Sequence, residues 1–273
     1  VSEPAFPAKI GLIAGGGDFP LFIARAARGC GVEVVALAIN GFAARDLAEC
    51  ADRIFWIELG QVAKAIELLH ENNITAVAMA GKVPHTSVLQ YRHFDLRAMK
   101  LLARTLNRKP DSLLGMITSE LEAEGIRVLD SSLFLKSLMP EAGLITPNRS
   151  PSERELNDIE FGIPIAKVIA GQDVGQTIVV KEMMVIAVEG VEGTDECVRR
   201  AAGLAGPGCV VVKVSKPSQD LRFDIPVVGI TTVEVLRACG CSALAVSARE
   251  SLIFDRDRVV PMAEEADIAI IAR

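Results

Sequence analysis

Residues 9–28 read KIGLIAGGGDFPLFIARAAR. Lys9 to Ala14 is a short apolar run of the kind that forms a strand buried on both faces. Gly15, Gly16 and Gly17 make a turn. Asp18 is placed to cap a helix, and Pro20 falls in its first turn. Strand, glycine turn and helix in this order open an α/β domain. Consecutive glycines let backbone N–H groups approach a ligand, and a helix N-terminus favours an anion. The turn is therefore a candidate phosphate or nucleotide contact. A tight structural turn would use the same residues, and the spacing does not reproduce GxGxxG.

The pattern repeats outward from this stretch. Val32 to Ala38, Arg53 to Ile57 and Thr75 to Ala80 are further strands, with a turn at Asn40-Gly41. Gln61 to Glu71 is an amphipathic helix with Val62, Ile66 and Leu69 on one side. Such alternation predicts a parallel sheet with right-handed crossovers. Ligands of these sheets sit outside the carboxyl ends of the strands, an edge that would carry both the glycine triplet and Gly81-Lys82. Leu89 to Lys109 is locally basic, with Arg92, Arg97, Lys100, Arg104, Arg108 and Lys109 against Asp95 alone. Leu96, Met99, Leu102 and Leu106 recur there at helical spacing. They predict a core-facing stripe under a solvated basic face, a pattern that also suits an anionic membrane surface. Asp111 is placed to cap a helix through Glu124.

Pro140, Gly143, Pro147 and Pro151 mark a linker. The expected organisation is an N-terminal Rossmann-like α/β domain over 1–139, a linker over 140–151, and a C-terminal α/β domain with a mixed sheet over 152–273. In the second half, Glu153 to Ala170 is helical with an interruption expected near Gly162-Ile163-Pro164. Thr177 to Lys181 and Met184 to Glu189 form a strand pair turning at Glu182-Met183. A helix capped by Thr194 or Asp195 runs through Leu204. Val210 to Val214, Ala243 to Val246, Leu252 to Phe254 and Ile268 to Ile271 are strands, with a helix near Thr232 to Ala238.

Composition narrows the function. Half of the 273 residues are hydrophobic, only 4% are aromatic, and the formal charge is −6. The charge argues against a nucleic-acid partner, which would call for a basic chain. The six cysteines form no CxxC pair and are expected as reduced thiols that pack as small apolar groups. The three histidines, His70, His85 and His93, fit no common metal or nucleophile motif. No HExxH, GxSxG or complete Walker A sequence is present. No secretory leader is evident and no apolar run approaches the roughly 18 residues of a spanning helix. The expectation is a cytoplasmic protein that goes no further than the inner face of the membrane.

One later stretch departs from an ordinary turn. Lys213 to Gly229 reads KVSKPSQDLRFDIPVVG between two apolar strands. Lys213, Lys216 and Arg222 could neutralise a pyrophosphate, and Asp220 or Asp224 could bind a hard cation or orient water. A solvated loop with surface ion pairs of little worth would look the same. Glu189, Glu192 and Asp195 are further candidate acids, Asp195 most simply as a cap. Asp224 stands at the mouth of an apolar strand, where a carboxylate is least expected without a partner.

GLIAGGGDFP at 11–20, AGKV at 80–83, DVGQ at 173–176, AVEGVEGTD at 187–195 and KVSKPSQDLRFDIPVVGITT at 213–232 together resemble the LpxI type of UDP-2,3-diacylglucosamine pyrophosphatase. The resemblance runs from Ile10 to the C-terminal strand. It implies hydrolysis of UDP-2,3-diacylglucosamine to UMP and 2,3-diacylglucosamine 1-phosphate in lipid A synthesis. It implies two α/β domains enclosing the substrate, water attacking the phosphorus nearer the sugar, and a requirement for a divalent cation, typically Mg²⁺; the hard oxygen donors would suit Mn²⁺ as well. The family's essential aspartate, in its RxDxP segment, falls on Asp224, expected as catalytic residue and, with Glu189, as metal ligand. Expected substrate contacts are Gly15, Gly16, Gly17, Gly81, Lys82, Gln176, Glu192, Gly193, Thr194, Lys213, Lys216, Gln219, Arg222 and Thr232. The implied partner is the acylated UDP-sugar, with no nucleic acid; contact with the inner membrane surface and pairing with a second copy of the chain stay open. A nucleotide-dependent oxidoreductase would want an acid ending the second strand, which instead ends Ala38-Ile39-Asn40. A non-catalytic lipid carrier would use the same cleft without a metal.

Overall fold

A computed structural model describes residues 6–83, 94–104, 110–217, 220, 222 and 225–273, without the side chains of 104 and 110–113. Asp224, Gln219, His85, His93 and the cap expected at Asp111 lie outside what is described. The chain forms two compact units. One takes in Val1–Leu135 and, from much later in the chain, Arg222; the other takes in Lys136–Asp220 and Ile225–Arg273.

In the first unit, β1 (Lys9–Ala14), β2 (Glu33–Ile39), β3 (Arg53–Ile57), β4 (Ala76–Ala80) and β5 (Arg127–Val128) form one parallel sheet in the order β3-β2-β1-β4-β5. The aliphatic strands are buried on both faces, as parallel strands covered by crossover helices must be. Helices α1 (Phe19–Gly29), α2 (Leu47–Cys50) and α3 (Val62–Glu71) follow the first three strands. Val35, Leu37, Val77 and Ile13 pack against Ile66 and Leu69 of α3. Gly11 is required by this contact: a Cβ there would stand 2.7 Å from Leu69 and 2.8 Å from Val77. Pro20 lies in the first turn of α1 as the sequence indicates, but Asp18 makes no side-chain cap.

Two helices complete this face: α4 (Leu96–Arg104) and α5 (Pro110–Ala123). The expected apolar stripe of α4 is corrected. Leu96 and Met99 are 78% and 56% exposed, whereas Ala98 and Leu101 are buried. The helix is turned by its charges. Asp95 caps it through Ala98 N–H at 2.8 Å, and the Arg97 guanidinium pairs with Glu120 and Glu124 beside α5.

The second unit holds β6 (Gly143–Leu144), β7 (Thr177–Lys181), β8 (Met184–Val188), β9 (Val210–Lys213), β11 (Ala243–Val246) and β13 (Ala269–Ala272) in one sheet, ordered β6-β13-β11-β9-β7-β8; β10 (Val227–Val228) and β12 (Leu252–Ile253) pair separately. β9, β11 and β13 are parallel, while β6, β7 and β8 are antiparallel to their neighbours. Gly143 and Leu144, inside the stretch read as a linker, thus form an edge strand on β13. Alternate residues face opposite sides. Val179, Val211, Leu244 and Ile270 pack with α7 (Thr194–Ala205), α8 (Ile230–Ala238) and α9 (Arg256–Glu265); Ile178, Val212, Ala245 and Ile271 pack against α6 (Glu153–Gly171).

α6 runs without the break expected at Gly162-Ile163-Pro164. Pro164 stands on the exposed side, and its missing N–H leaves the carbonyl of Glu160 unbonded where that residue also faces water. Gly162 faces the sheet, where a Cβ would lie 2.9 Å from Val212. The β7–β8 turn places Glu182 and Met183 at φ 52° and 57°, a left-handed pair that suits the twist of a tight hairpin but disfavours these residues. Buried Asp158 of α6 compensates by accepting both N–H groups, at 3.1 and 2.6 Å.

Ser152 and Glu155 form a reciprocal capping box at the start of α6. Burial pushes the Glu155 carboxyl up, but hydrogen bonds from Arg149, the Ser152 N–H and Ser242 outweigh it and hold the group below the usual carboxylate range. Arg149 also reaches Asp267 at 2.6 Å. A carboxyl depressed in the folded state contributes stability that is complete above its unfolded value, about 4.3, and is lost as pH falls through the folded value. Glu155→Gln is expected to lose about 1–3 kcal/mol at neutral pH and to show a shallower loss below about pH 4. Urea unfolding followed by circular dichroism at both pH values checks this, with Trp56 fluorescence reporting the first unit separately.

Candidate active site

A polar cluster of the second unit lies where three strands and a helix meet. β7 runs antiparallel to β9, which sets Thr177, the first residue of β7, in register with Lys213, the last of β9. β8 returns beside β7 and delivers Glu189 to the same edge, where the Glu189 N–H donates to the Thr177 carbonyl at 2.9 Å. α7 begins here too. Its N-cap is Gly193 at φ 84°, and neither Thr194 nor Asp195 caps it with a side chain, contrary to expectation.

The Thr194 hydroxyl is engaged elsewhere. It donates to Glu189 Oε1 at 3.0 Å, accepts from Lys213 Nζ at 2.8 Å, and lies 3.3 Å from Thr177 Oγ1. Glu189 Oε2 accepts the Gln176 N–H at 3.2 Å, and the Gln176 carbonyl accepts the Val214 N–H at 2.9 Å. Gly175 is obligatory before it, since a Cβ would lie 2.2 Å from the Glu189 carbonyl oxygen. The result is a half-buried carboxylate, hydroxyl and ammonium joined in one chain beside the positive end of a helix. Next to it, at the carboxyl ends of β9 and β11, Ser215 N–H donates to Ser247 Oγ at 3.1 Å and Ser215 Oγ donates to the Glu250 carbonyl at 2.9 Å.

Of the residues named from sequence, Gln176, Glu189, Gly193, Thr194 and Lys213 therefore meet. Thr177 joins them unforeseen, because a threonine opening a strand looks like any strand former. Glu192 turns away. Its own N–H and then Arg200, at 2.6 Å, hold its exposed carboxyl below the usual range. Lys216 pairs with Asp173 at 2.5 Å. Thr232 sits in the first turn of α8, its hydroxyl 3.5 Å from the Gly229 N–H that donates to it. Among the described residues no three His, Cys, Asp or Glu side chains converge as a metal cage.

The glycine turns meet in the first unit, at the point between β1 and β4 where the strand order reverses. Gly15 N–H donates to the Ala80 carbonyl at 2.8 Å, and Gly16 and Lys82 exchange two backbone hydrogen bonds at 2.9 Å. A Cβ on Gly15 would lie 2.9 Å from the Lys82 carbonyl, and one on Gly81, at φ 90°, would lie 2.7 Å from Gly15 and Gly16. The amides of Gly15 and Gly16 thus hold the two turns together instead of pointing outward. Gly17 and Lys82 remain exposed at this edge. Arg222 also belongs to the first unit. Its carbonyl and that of Met79 both lie 2.7 Å from the hydroxyl of buried Ser131, which donates to one at a time, and its guanidinium is 3.5 Å from Glu122.

A doubly wound parallel unit joined to a mixed-sheet unit with a carboxylate–hydroxyl–ammonium edge defines a two-unit α/β protein with an anion-compatible site. The chain belongs to the LpxI family: the LpxI N-terminal domain matches residues 9–138 and the LpxI C-terminal domain residues 141–271. It is 29% identical over 275 residues to the UDP-2,3-diacylglucosamine pyrophosphatase LpxI of Caulobacter vibrioides, covering 96% of both chains. Solved structures with partial likeness include a leucoanthocyanidin reductase–NADPH complex from Vitis vinifera, at 17% identity and TM-score 0.29, over 55% of this chain and 41% of that one. Another is the biotin carboxylase domain of a thermophilic 2-oxoglutarate carboxylase, at 13% and 0.29, over 72% and 33%. Likeness this slight bears on neither mechanism nor substrate.

Cys197 lies under the first turn of α7, and burial pushes its thiol up to about 11; burial likewise pushes Cys241 up to about 12. Thiolates are the reactive form, so neither is an activated nucleophile. Iodoacetamide at pH 8 is expected to label exposed Cys30 in the native protein and to leave Cys197 and Cys241 unlabelled until urea is added. Peptide mass spectrometry reads the order, and native labelling of Cys197 would contradict the burial described.

Proposed function

We propose that this chain hydrolyses the pyrophosphate bond of UDP-2,3-diacylglucosamine, releasing UMP and 2,3-diacylglucosamine 1-phosphate for lipid A synthesis. The observation that carries this reading is family membership across both units, together with a relative that bears that activity in its name and aligns over 96% of the chain. The geometry agrees with it. Gln176 and Thr194, from two separate motifs, reach Glu189 and Lys213 on one edge.

In the proposed reaction water adds to the phosphorus nearer the sugar. The bond from that phosphorus to the bridging oxygen breaks, UMP leaves with the bridging oxygen, and the water's proton passes to solvent or a nearby base. Negative charge spreads over the phosphoryl oxygens, so fixed positive charge is the main requirement. Lys213, held by Thr194 beside the N-terminus of α7, supplies it without reorganisation. Glu189 keeps that ammonium and hydroxyl oriented.

Mg²⁺ is part of the proposal. The edge offers hard oxygen donors in the Glu189 carboxylate and the hydroxyls of Thr177 and Thr194, and magnesium completes its shell with water and phosphate oxygens. Mn²⁺ has the same ligand preference. Glu189 would hold the ion, and the ion would supply charge stabilisation to the phosphoryl group. Among the described residues no helix is long and apolar enough to cross a membrane; the enzyme would meet its lipid-linked substrate at the inner face of the cytoplasmic membrane.

Incubation with UDP-2,3-diacylglucosamine and Mg²⁺ in ¹⁸O-water is expected to release UMP and to place the label in the sugar 1-phosphate. Label in UMP would move the attack to the other phosphorus, and absence of UMP would sink the activity. Asp224→Ala should keep the fold and abolish turnover. Thr194→Val should lower kcat by roughly 10- to 100-fold, with Thr194→Ser restoring most of it.

A further inference from the structure

β7 reads TIVVK, and its first four residues are buried. Ile178, Val179 and Val180 fill the core on one face of the sheet or the other. Thr177 is as buried as they are, with no exposed surface. Valine has the same shape and suits a strand equally well. It also carries no hydroxyl into the interior, where one is costly unless bonded. The hydroxyl at this position is therefore accounted for by what it meets.

Thr177 stands against all three members of the polar cluster. Its carbonyl accepts the Glu189 N–H at 2.9 Å. On its other flank it lies in register opposite Lys213. The neighbouring pair, Gln176 and Val214, is joined by a backbone bond of 2.9 Å, so Thr177 and Lys213 form a pair without one, the kind whose side chains lie closer. Its hydroxyl is 3.3 Å from that of Thr194.

The direction of this last contact follows from counting protons. A hydroxyl has one to give, and Thr194 gives its own hydrogen bond at 3.0 Å to Glu189 Oε1, a carboxylate oxygen that accepts only. Thr194 also accepts from Lys213 at 2.8 Å. The donor across the 3.3 Å contact is therefore Thr177. The order is Thr177 to Thr194 to Glu189, with Lys213 donating into the middle. A helical threonine divides between two χ1 rotamers. A donor fixed in a buried strand selects the one that faces Glu189 and Lys213, and bonds in such a chain strengthen one another.

We propose that Thr177 is a positioning residue for the phosphate chemistry, holding Thr194 and, through it, the Lys213 ammonium. The assignment rests on the reaction proposed above, and it puts the geometry of that ammonium under the control of a core strand.

Thr177→Val removes the hydroxyl and keeps the shape, while Thr177→Ser keeps the hydroxyl. With UDP-2,3-diacylglucosamine as substrate, Thr177→Val is expected to lower kcat about tenfold and to leave KM within about twofold of wild type, with Thr177→Ser restoring most of the loss. In a Thr194→Val background, Thr177→Val is expected to cost no more than about twofold further, because members of one hydrogen-bond network are not additive. An unchanged kcat, no rescue by serine, or the full tenfold loss repeated in the double variant overturns the assignment. Thr177→Cys, a weak donor of similar size, replaces the valine variant should that one fail to fold. If the wild-type protein releases no UMP, the proposed activity fails on its own, and the positioning is read at Lys213 directly. Acetylation by sulfosuccinimidyl acetate, followed by peptide mass spectrometry and normalised to exposed Lys64, is then expected to run at least about threefold faster at Lys213 in Thr177→Val than in wild type, since an ammonium whose acceptor has turned away is freer to react. Equal rates would end the proposal.

Discussion

The hydrogen bond from the Lys213 ammonium to the Thr194 hydroxyl, 2.8 Å long, ties the end of a buried parallel strand to the first turn of a helix. An ammonium at that position is electrostatically costly on its own, because helix N-termini carry partial positive charge. The arrangement persists because the Thr194 hydroxyl donates its hydrogen bond to Glu189 and so presents a lone pair to Lys213. Glu189 in turn is fixed by a backbone N–H from Gln176. Removing any member takes one hydrogen-bond partner from a half-buried charge or donor, so the members are coupled.

Glycine does different work in the two units. In the first, Gly15 and Gly81 let two turns touch backbone to backbone, and the contact absorbs the amides that a phosphate-binding turn would present. In the second, Gly175 lets the Gln176 segment lie against Glu189, and Gly193 starts α7 without a side-chain cap, which leaves Thr194 available. Both sets are conformational requirements. Only the second places a side chain where chemistry could use it.

The strand-and-helix order was legible because it rests on burial. Aliphatic runs such as Glu33–Ile39 and Ala243–Val246 are buried on both faces, as strands of a helix-covered sheet are. What was not legible depended on partners far away in sequence. Gly143–Leu144 is too short to carry a period and becomes a strand only because β13 offers an edge. Pro164 reads as a breaker unless its face of the helix is known to meet water. On α4 the spacing offered Leu96 and Met99, and charge pairs from Arg97 to α5 selected Ala98 and Leu101 instead. In the candidate site the motif residues Gln176, Glu189, Thr194 and Lys213 were legible as residues, but their joining through one hydroxyl was not, since a threonine beside a helix start reads as a cap.

Amphiphilic ligands set two demands that a single pocket meets badly. A diphosphate needs fixed charge and exchangeable water, while hydrocarbon needs water excluded. Their separation in this chain follows from strand chemistry. In the first unit Ile39 and Ile57 are the last residues of their strands and Ile13 the last but one of β1, and the space beyond them is apolar. The second ends β9 in Lys213 and follows β8 with Glu189, and the space beyond them is charged. Each unit has buried strands of much the same composition, so the last side chain before each loop, and not the architecture, decides what that edge can hold.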